Sequence, residues 1–114
     1  MTTDWSENII LANLSDEPAL SEELNNTADR IAAMGSEDPK PHVVLDFSRV
    51  TYINSSNVSQ LLRLRKLLEA AGRELRLCGV TDDVWSVLIV TGLDRLFRFE
   101  PDTLTALASL QIDG

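Results

Sequence analysis

VVLDFSRVTYINSSNVSQLL, residues 43–62, holds the clearest structural pattern of this chain. The opening VVLDF is typical of a buried strand, because branched and aromatic side chains suit a covered sheet. TYI at 51–53 is predicted to be a second short extended piece. The polar NSSN at 54–57 interrupts the apolar pattern, which restarts at Val58 with helical spacing. A helix is therefore predicted to begin at this serine turn, where free N–H groups suit an anion or an added phosphate.

Strands and helices are predicted to alternate on both sides of this segment. The predicted elements are a strand over Asn8–Leu14, a helix with Leu20, Leu24, Ala28, Ile31 and Met34 on one face, a strand over Glu74–Val80, a helix from Thr81, a strand over Leu96–Phe99 and a last helix from Pro101. Short loops between such elements imply a mainly parallel sheet with right-handed crossovers in a single domain, residues 1–114. Because loops at the carboxyl ends of parallel strands share one edge, the Ser15–Asp16 loop, the serine turn and the Thr81–Asp82 loop should lie close together.

The helix after the serine turn has an unusually wide apolar stripe. Leu61, Leu64, Leu68 and Ala71 share one side, and the edges of that side are extended by Val58, Leu62 and Leu67. Either the helix is covered on two sides, or one apolar edge remains for a partner. Gly72 is predicted to end the helix in a left-handed conformation.

The composition disfavours two classes of partner and indicates where the protein is located. The 114 residues include 18 acidic and 10 basic side chains, for a net charge of −8, which disfavours nucleic acids and anionic membranes. The single cysteine, Cys78, excludes an internal disulfide and fits a reducing compartment, and it is expected to be a small buried hydrophobic residue of its strand. The N-terminal sequence lacks the pattern of a signal peptide, and no apolar run has the length of a membrane span. A cytoplasmic location is therefore expected.

Catalytic chemistry has little support in the sequence. His42 is the only histidine, and no cysteine cluster accompanies it, so it is expected to be a loop residue and not a ligand or a base. It lies where the loop enters the strand, at the end of the strand opposite the serine turn. No Gly-x-Ser-x-Gly elbow, phosphate-binding glycine loop or set of metal ligands is present. We therefore expect no enzyme, no catalytic residue, no metal and no cofactor. Considered alone, Ser55 and Ser56 fit a plain helix cap better than a functional site, because serine is common at helix caps.

Three segments resemble the STAS domain, the family of bacterial anti-anti-sigma factors. They are VVLDFSRVTYINSSNVSQLLRL at 43–64, GRELRLCGV at 72–80 and VTGLDRLF at 90–97, in the order that the family shows. The resemblance implies a mixed, mainly parallel sheet of four to five strands with about four helices. The family has two N-terminal strands where only Asn8–Leu14 is clear here, so the N-terminal strand region is expected to be shortened.

The resemblance also implies a function. Family members bind an anti-sigma factor that is a serine kinase, which phosphorylates the second serine of the turn and thereby ends binding. By position Ser56 is the phosphoacceptor, with Ser55 as the alternative. The expected partner-binding residues are Asn54, Ser55, Asn57, Ser59, Gln60 and Asp16. A serine phosphatase is a further candidate partner, and the protein is expected to be a monomer or a weak dimer.

Two residues of the turn depart from the family pattern. Asn54 replaces the usual aspartate and Asn57 replaces the usual glycine, which changes the charge and the space beside the serines. With the wide apolar helix, these departures favour an alternative function as a constitutive STAS scaffold in a multiprotein signalling complex. That alternative predicts equal partner binding by Ser56→Ala and Ser56→Asp, and loss of binding by Leu62→Asp if Leu62 is exposed.

Overall fold

A five-stranded sheet forms the centre of the structure, a computed structural model that describes residues 3–5, 9–35 and 37–113. The elements are β1 (Thr3–Trp5), β2 (Ile9–Ser15), α1 (Ala19–Ala33), β3 (His42–Arg49), α2 (Ser55–Ala70), β4 (Leu75–Cys78), α3 (Asp82–Val90), a 3₁₀ turn (Leu93–Arg95), β5 (Arg98–Glu100) and α4 (Thr103–Asp113). The strands lie in the order β1-β2-β3-β4-β5. β1 is antiparallel to β2, and the remaining neighbours are parallel.

The predicted fold class is confirmed. The sheet is mixed and mainly parallel, and four α-helices accompany it in the part of the chain that the structure describes. Two strands precede α1, since β1, at Thr3–Trp5, lies ahead of the strand that the sequence made clear. The strand predicted over Asn8–Leu14 is β2, which begins at Ile9, and Asn8 itself lies outside the described residues.

Helices cover both faces of the sheet because side chains along β3 alternate between two apolar clusters. Val43, Leu45 and Phe47 belong to the larger cluster, which buries the inner faces of α1, α2 and α3. Val44 points to the opposite face and joins the smaller cluster formed with α4. β3 is buried over its first six residues save the half-buried Asp46, as expected of a central parallel strand.

The wide apolar stripe of α2 is explained by cover on two sides. Val58, Leu62 and Leu67 are half-buried and pack against the larger cluster, so none of them forms a free apolar edge. α1 lies against α2, and Arg63 of α2 forms an ion pair with Asp29 of α1 at 2.9 Å between Nη2 and Oδ1. The first of the two alternatives drawn from the sequence is therefore correct.

Two local predictions are wrong and two are confirmed. Residues 51–53 form a loop and do not add a strand. The last strand begins at Arg98 and not at Leu96, because the chain first closes the 3₁₀ turn, in which the Leu96 N–H donates to the Leu93 carbonyl. Gly72 has a φ of 70°, so it ends α2 in the predicted left-handed conformation. Cys78 is fully buried, as predicted, and burial raises the pKa of its thiol.

His42 is the first residue of β3, not a loop residue, and it is buried. Its Nδ1 accepts a hydrogen bond from the Glu74 backbone N–H at 2.9 Å, which requires a ring that is unprotonated at this atom. Burial, with the positive charge of Arg73 as a smaller cause, lowers the pKa of His42 below its ordinary value.

The protein should lose stability as the pH falls from about 7.5 to about 5.5. In this window the unfolded chain takes up a proton at His42 before the folded chain does, so protonation favours unfolding. Urea unfolding midpoints at the two pH values measure the effect, and His42→Gln, which keeps an acceptor without a titrating ring, is the control. An equal decline in His42→Gln would show that another group is responsible.

Candidate functional site

Three loops meet at the carboxyl ends of β2, β3 and β4, as predicted from the parallel topology. The Asp16 carboxylate, after β2, accepts hydrogen bonds from the N–H and the hydroxyl of Thr51, at 2.8 and 2.7 Å. The Thr81 hydroxyl, after β4, donates to the Val50 carbonyl at 2.9 Å. The loop between β3 and α2 is thus fixed from both sides, which gives the serine turn a defined position.

The turn itself is held by a reciprocal capping box between two asparagines. The Asn54 side-chain oxygen accepts from the Asn57 N–H, and the Asn57 side-chain oxygen accepts from the Asn54 N–H, both at 2.9 Å. Asn54 is the N-cap of α2 and has the extended backbone that this position requires. Two backbone donors at the helix start are therefore satisfied without either serine.

The amide group of Asn57 also anchors the turn to α1. Asn57 is fully buried, and its Nδ2 lies 3.2 Å from Ser21 Oγ, 3.2 Å from Gln60 Oε1 and 3.4 Å from Glu17 Oε2. Glu17 in turn accepts from the Ser21 N–H and hydroxyl at the start of α1. A buried amide with this many partners fixes the relative position of two helix N-termini.

Two exposed carboxylates give the site a negative charge. Hydrogen bonds from Thr51 lower the pKa of Asp16, and hydrogen bonds from Ser21 lower the pKa of Glu17. Both shifts favour the ionised form, so the two groups remain charged at neutral pH. Any group added to the serine turn joins a surface that is already acidic.

Ser55 and Ser56 are the first two residues of α2, and both are exposed. Within residues 9–35 and 37–113, neither side-chain hydroxyl has a hydrogen-bond partner. The N–H groups of the first helical turn lie beside them, at the positive end of the helix dipole. The geometry thus leaves two accessible hydroxyls at a position where a negatively charged modification is tolerated.

Most of the residues predicted for the site lie together. Asn54, Ser55, Ser56, Ser59 and Gln60 share the turn and the first helical turns, and Asp16 lies on the adjoining loop. Asn57 is the exception, because its fully buried side chain has no surface to offer a partner. Its place in the predicted partner surface is corrected to a structural role, in which it holds the turn.

Sequence reasoning missed the supporting residues of the turn. Thr51, Glu17 and Ser21 fix the loops, and the ring of Tyr52, in the loop that leads to the serines, is 62% exposed. One signal was available for Asn57, since Asn54 and Asn57 have the spacing of a capping box. The contacts with α1 join residues about forty positions apart, so no local pattern indicates them.

Other kinds of site find no support in the described residues. No group of three or more histidine, cysteine, aspartate or glutamate residues there could hold a metal ion. None of the helices in residues 9–35 and 37–113 combines the length and the apolar character that a membrane crossing needs.

A family model described as the STAS domain matches residues 10–106. An anti-sigma F factor antagonist of Paenibacillus polymyxa is 27% identical over 71 residues, which are 62% of this chain. The chain spans only 61% of the length of that relative.

Two solved structures share the fold. The anti-sigma factor antagonist SpoIIAA in its unphosphorylated form has a TM-score of 0.70 at 14% identity, with 99% of this chain and 97% of that chain covered. A structure titled as the molecular architecture of the stressosome, a signal integration and transduction hub, contains a chain with a TM-score of 0.75 at 17% identity, with 96% of each chain covered. The resemblance drawn from the three sequence segments is confirmed by the family model: the chain belongs to the STAS domain family.

Proposed function

We propose that this protein is an anti-sigma factor antagonist that binds an anti-sigma factor with serine kinase activity and is switched by phosphorylation of Ser56. The observation that favours this function is the division of roles within the turn. Asn54 and Asn57 cap the helix, whereas the hydroxyls of Ser55 and Ser56 are exposed and make no hydrogen bond in the described chain. The similarity to an anti-sigma F factor antagonist supports the same function.

Phosphorylation would change the surface and leave the fold intact. A phosphate adds nearly two negative charges at neutral pH, and the start of α2 favours such a group electrostatically. The surrounding surface already contains the ionised Asp16 and Glu17. A partner surface that fits the unmodified turn through apolar or acidic groups would then meet repulsion and added bulk, so binding would end.

In this function the protein is a substrate and a binding partner, not a catalyst. The partner-facing residues are Asn54, Ser55, Ser59, Gln60 and Asp16, and Tyr52 is added because its exposed ring lies next to the turn. A serine phosphatase would reverse the modification. The net charge of −8 supports protein partners over nucleic acids and membranes, and it fits a cytoplasmic complex.

Incubation with the cognate kinase and ATP, followed by mass spectrometry of the peptides, tests the switch. We expect one phosphate on Ser56, none on Ser56→Ala, and unchanged modification of the matched variant Ser55→Ala. Ser56→Asp should weaken binding of the anti-sigma factor by about tenfold or more, because a like charge at an interface is costly. Phosphate on Ser55 alone, or full binding by Ser56→Asp, would contradict the assignment.

A constitutive scaffold in a multiprotein signalling complex is the second candidate function. The structural similarity to a stressosome chain favours it. The apolar edge of α2 gives this function no support, because Leu62 is half-buried and packs against the core. Leu62→Asp would therefore test folding and not binding. This function predicts equal binding by Ser56→Ala and Ser56→Asp, together with loss of binding by Tyr52→Ala, whose ring is exposed.

A further inference from the structure

β5 is an edge strand whose outer side can pair with another chain. The strand has three residues and bonds to β4 on its inner side. The Glu100 carbonyl accepts from the Gly79 N–H at 3.3 Å, so the backbone groups of Glu100 point towards β4. Backbone groups alternate sides along a strand, and those of Phe99 therefore point outwards. In the described chain, no backbone bond outside the regular ladders involves the Phe99 N–H or carbonyl.

The charged side chains of β5 are complementary to those of a second, antiparallel copy of the same strand. If two copies pair antiparallel about a twofold axis at Phe99, the two Phe99 residues exchange two backbone hydrogen bonds. Arg98 of each copy then lies opposite Glu100 of the other. Directly opposed residues of opposite charge stabilise such a pair, and like charges destabilise it. In such a pair the sequence Arg98–Phe99–Glu100 would supply two complementary ion pairs, for which each exposed Arg98 shares or exchanges its contact with Glu74 at 3.6 Å.

An apolar patch continues the edge onto α3. The rings of Trp85 and Phe99 meet edge to face, with centroids 4.9 Å apart. Trp85 is 36% exposed, and Ile89, one helical turn later, is 50% exposed. Spacing of four residues places both side chains on the same side of α3. A second copy at β5 would bring a matching patch to this one, and both would lose water contact.

We propose that this protein forms a weak, symmetric homodimer through antiparallel pairing of β5 with β5 of a second copy, with Trp85 and Ile89 packed at its side. The interface is small, because Pro101 lacks an N–H and ends the ladder after one residue pair. The expected Kd is on the order of 10⁻⁴ M. The serine turn takes no part, so the dimer is independent of the proposed switch.

Sedimentation equilibrium from about 10 µM to about 1 mM measures the dimer in the wild-type protein. Arg98→Glu and Glu100→Arg should each raise Kd about tenfold or more, since each places like charges opposite one another twice. The double variant Arg98→Glu/Glu100→Arg should regain dimerisation, and an equimolar mixture of the two single variants should form a heterodimer. Arg95→Glu, which makes the same charge change on the 3₁₀ turn outside the strand, is the matched control.

The results separate the possible outcomes. Loss of dimer in both single variants with recovery in the double variant and in the mixture supports the β5 interface. A monomer at every concentration would overturn the proposal, as would a dimer that neither charge reversal weakens. Thermal unfolding midpoints of the variants show whether each still folds. A heterodimer in the mixture would also show that both single variants are folded, because the mixture contains only those two chains.

Discussion

Replacing Asn57 with alanine is expected to lower the free energy of unfolding by about 2 to 4 kcal/mol. The change removes the acceptor for the Asn54 N–H, which is one half of the capping box. It also removes the amide donor that faces Ser21 and Glu17 on α1. Because the Asn57 side chain is fully buried, alanine leaves the Asn54 N–H without its acceptor at a position that water does not readily enter, and an unsatisfied donor there costs free energy.

Urea unfolding of Asn57→Ala and Ser56→Ala at neutral pH measures the difference. Ser56→Ala is the matched control because it removes an exposed hydroxyl one position earlier in the same helical turn, and it should change stability by less than about 0.5 kcal/mol. Equal losses in the two variants would show that the buried amide holds the turn no more strongly than the exposed serine hydroxyl does.

Gly79→Ala should destabilise the protein by a similar amount, about 2 to 4 kcal/mol. Gly79 follows β4 with a φ of 64°, where a side chain is strained. A Cβ there would lie 3.1 Å from both Asp46 Oδ1 and the Ser48 Cβ, and 3.3 Å from the Ser48 nitrogen. Asp46 cannot move aside freely, because its Oδ1 accepts from the Ser48 N–H at 2.9 Å.

Gly92→Ala separates the two causes of this loss. Gly92 has a similar φ of 75°, but a Cβ there would have no neighbour within 4 Å. Backbone strain alone should therefore cost about 1 to 2 kcal/mol in Gly92→Ala. Thermal or urea unfolding of both variants gives the comparison, and a loss in Gly79→Ala no greater than that in Gly92→Ala would mean that β3 gives way to the new methyl group.

Much of the fold could be predicted because its signals are local or periodic. A conformation can be predicted from a few neighbouring residues in three places: the buried strand run Val43–Phe47, the helical spacing from Leu20 to Ile31, and the left-handed Gly72. Alternation of strands and helices then fixed the parallel topology, from which the meeting of three loops follows. The position of the serine turn was correct for this reason.

The errors lie where short segments are decided by distant contacts. Thr51 had a strand-like neighbourhood, but its N–H and hydroxyl bond to Asp16, across the site, instead of to a neighbouring strand. Leu96 and Phe97 lie between the 3₁₀ turn and β5, and apolar residues occur in strands and in connections alike, so composition could not separate the two. Asn57 has a polar side chain at a helix start, which suggests exposure, and its burial depends on Ser21 and Glu17 of α1.

The capping of α2 by asparagines has a consequence for how the proposed phosphorylation site can evolve. Since Ser55 and Ser56 contribute no side-chain hydrogen bond to the turn, replacing either of them meets almost no folding constraint. A lineage could gain, lose or shift the phosphoacceptor by a single substitution, without a compensating change in the core. Asn57 is under the opposite constraint because its buried side chain holds the turn, so the shape of the turn can persist while the exposed serines change.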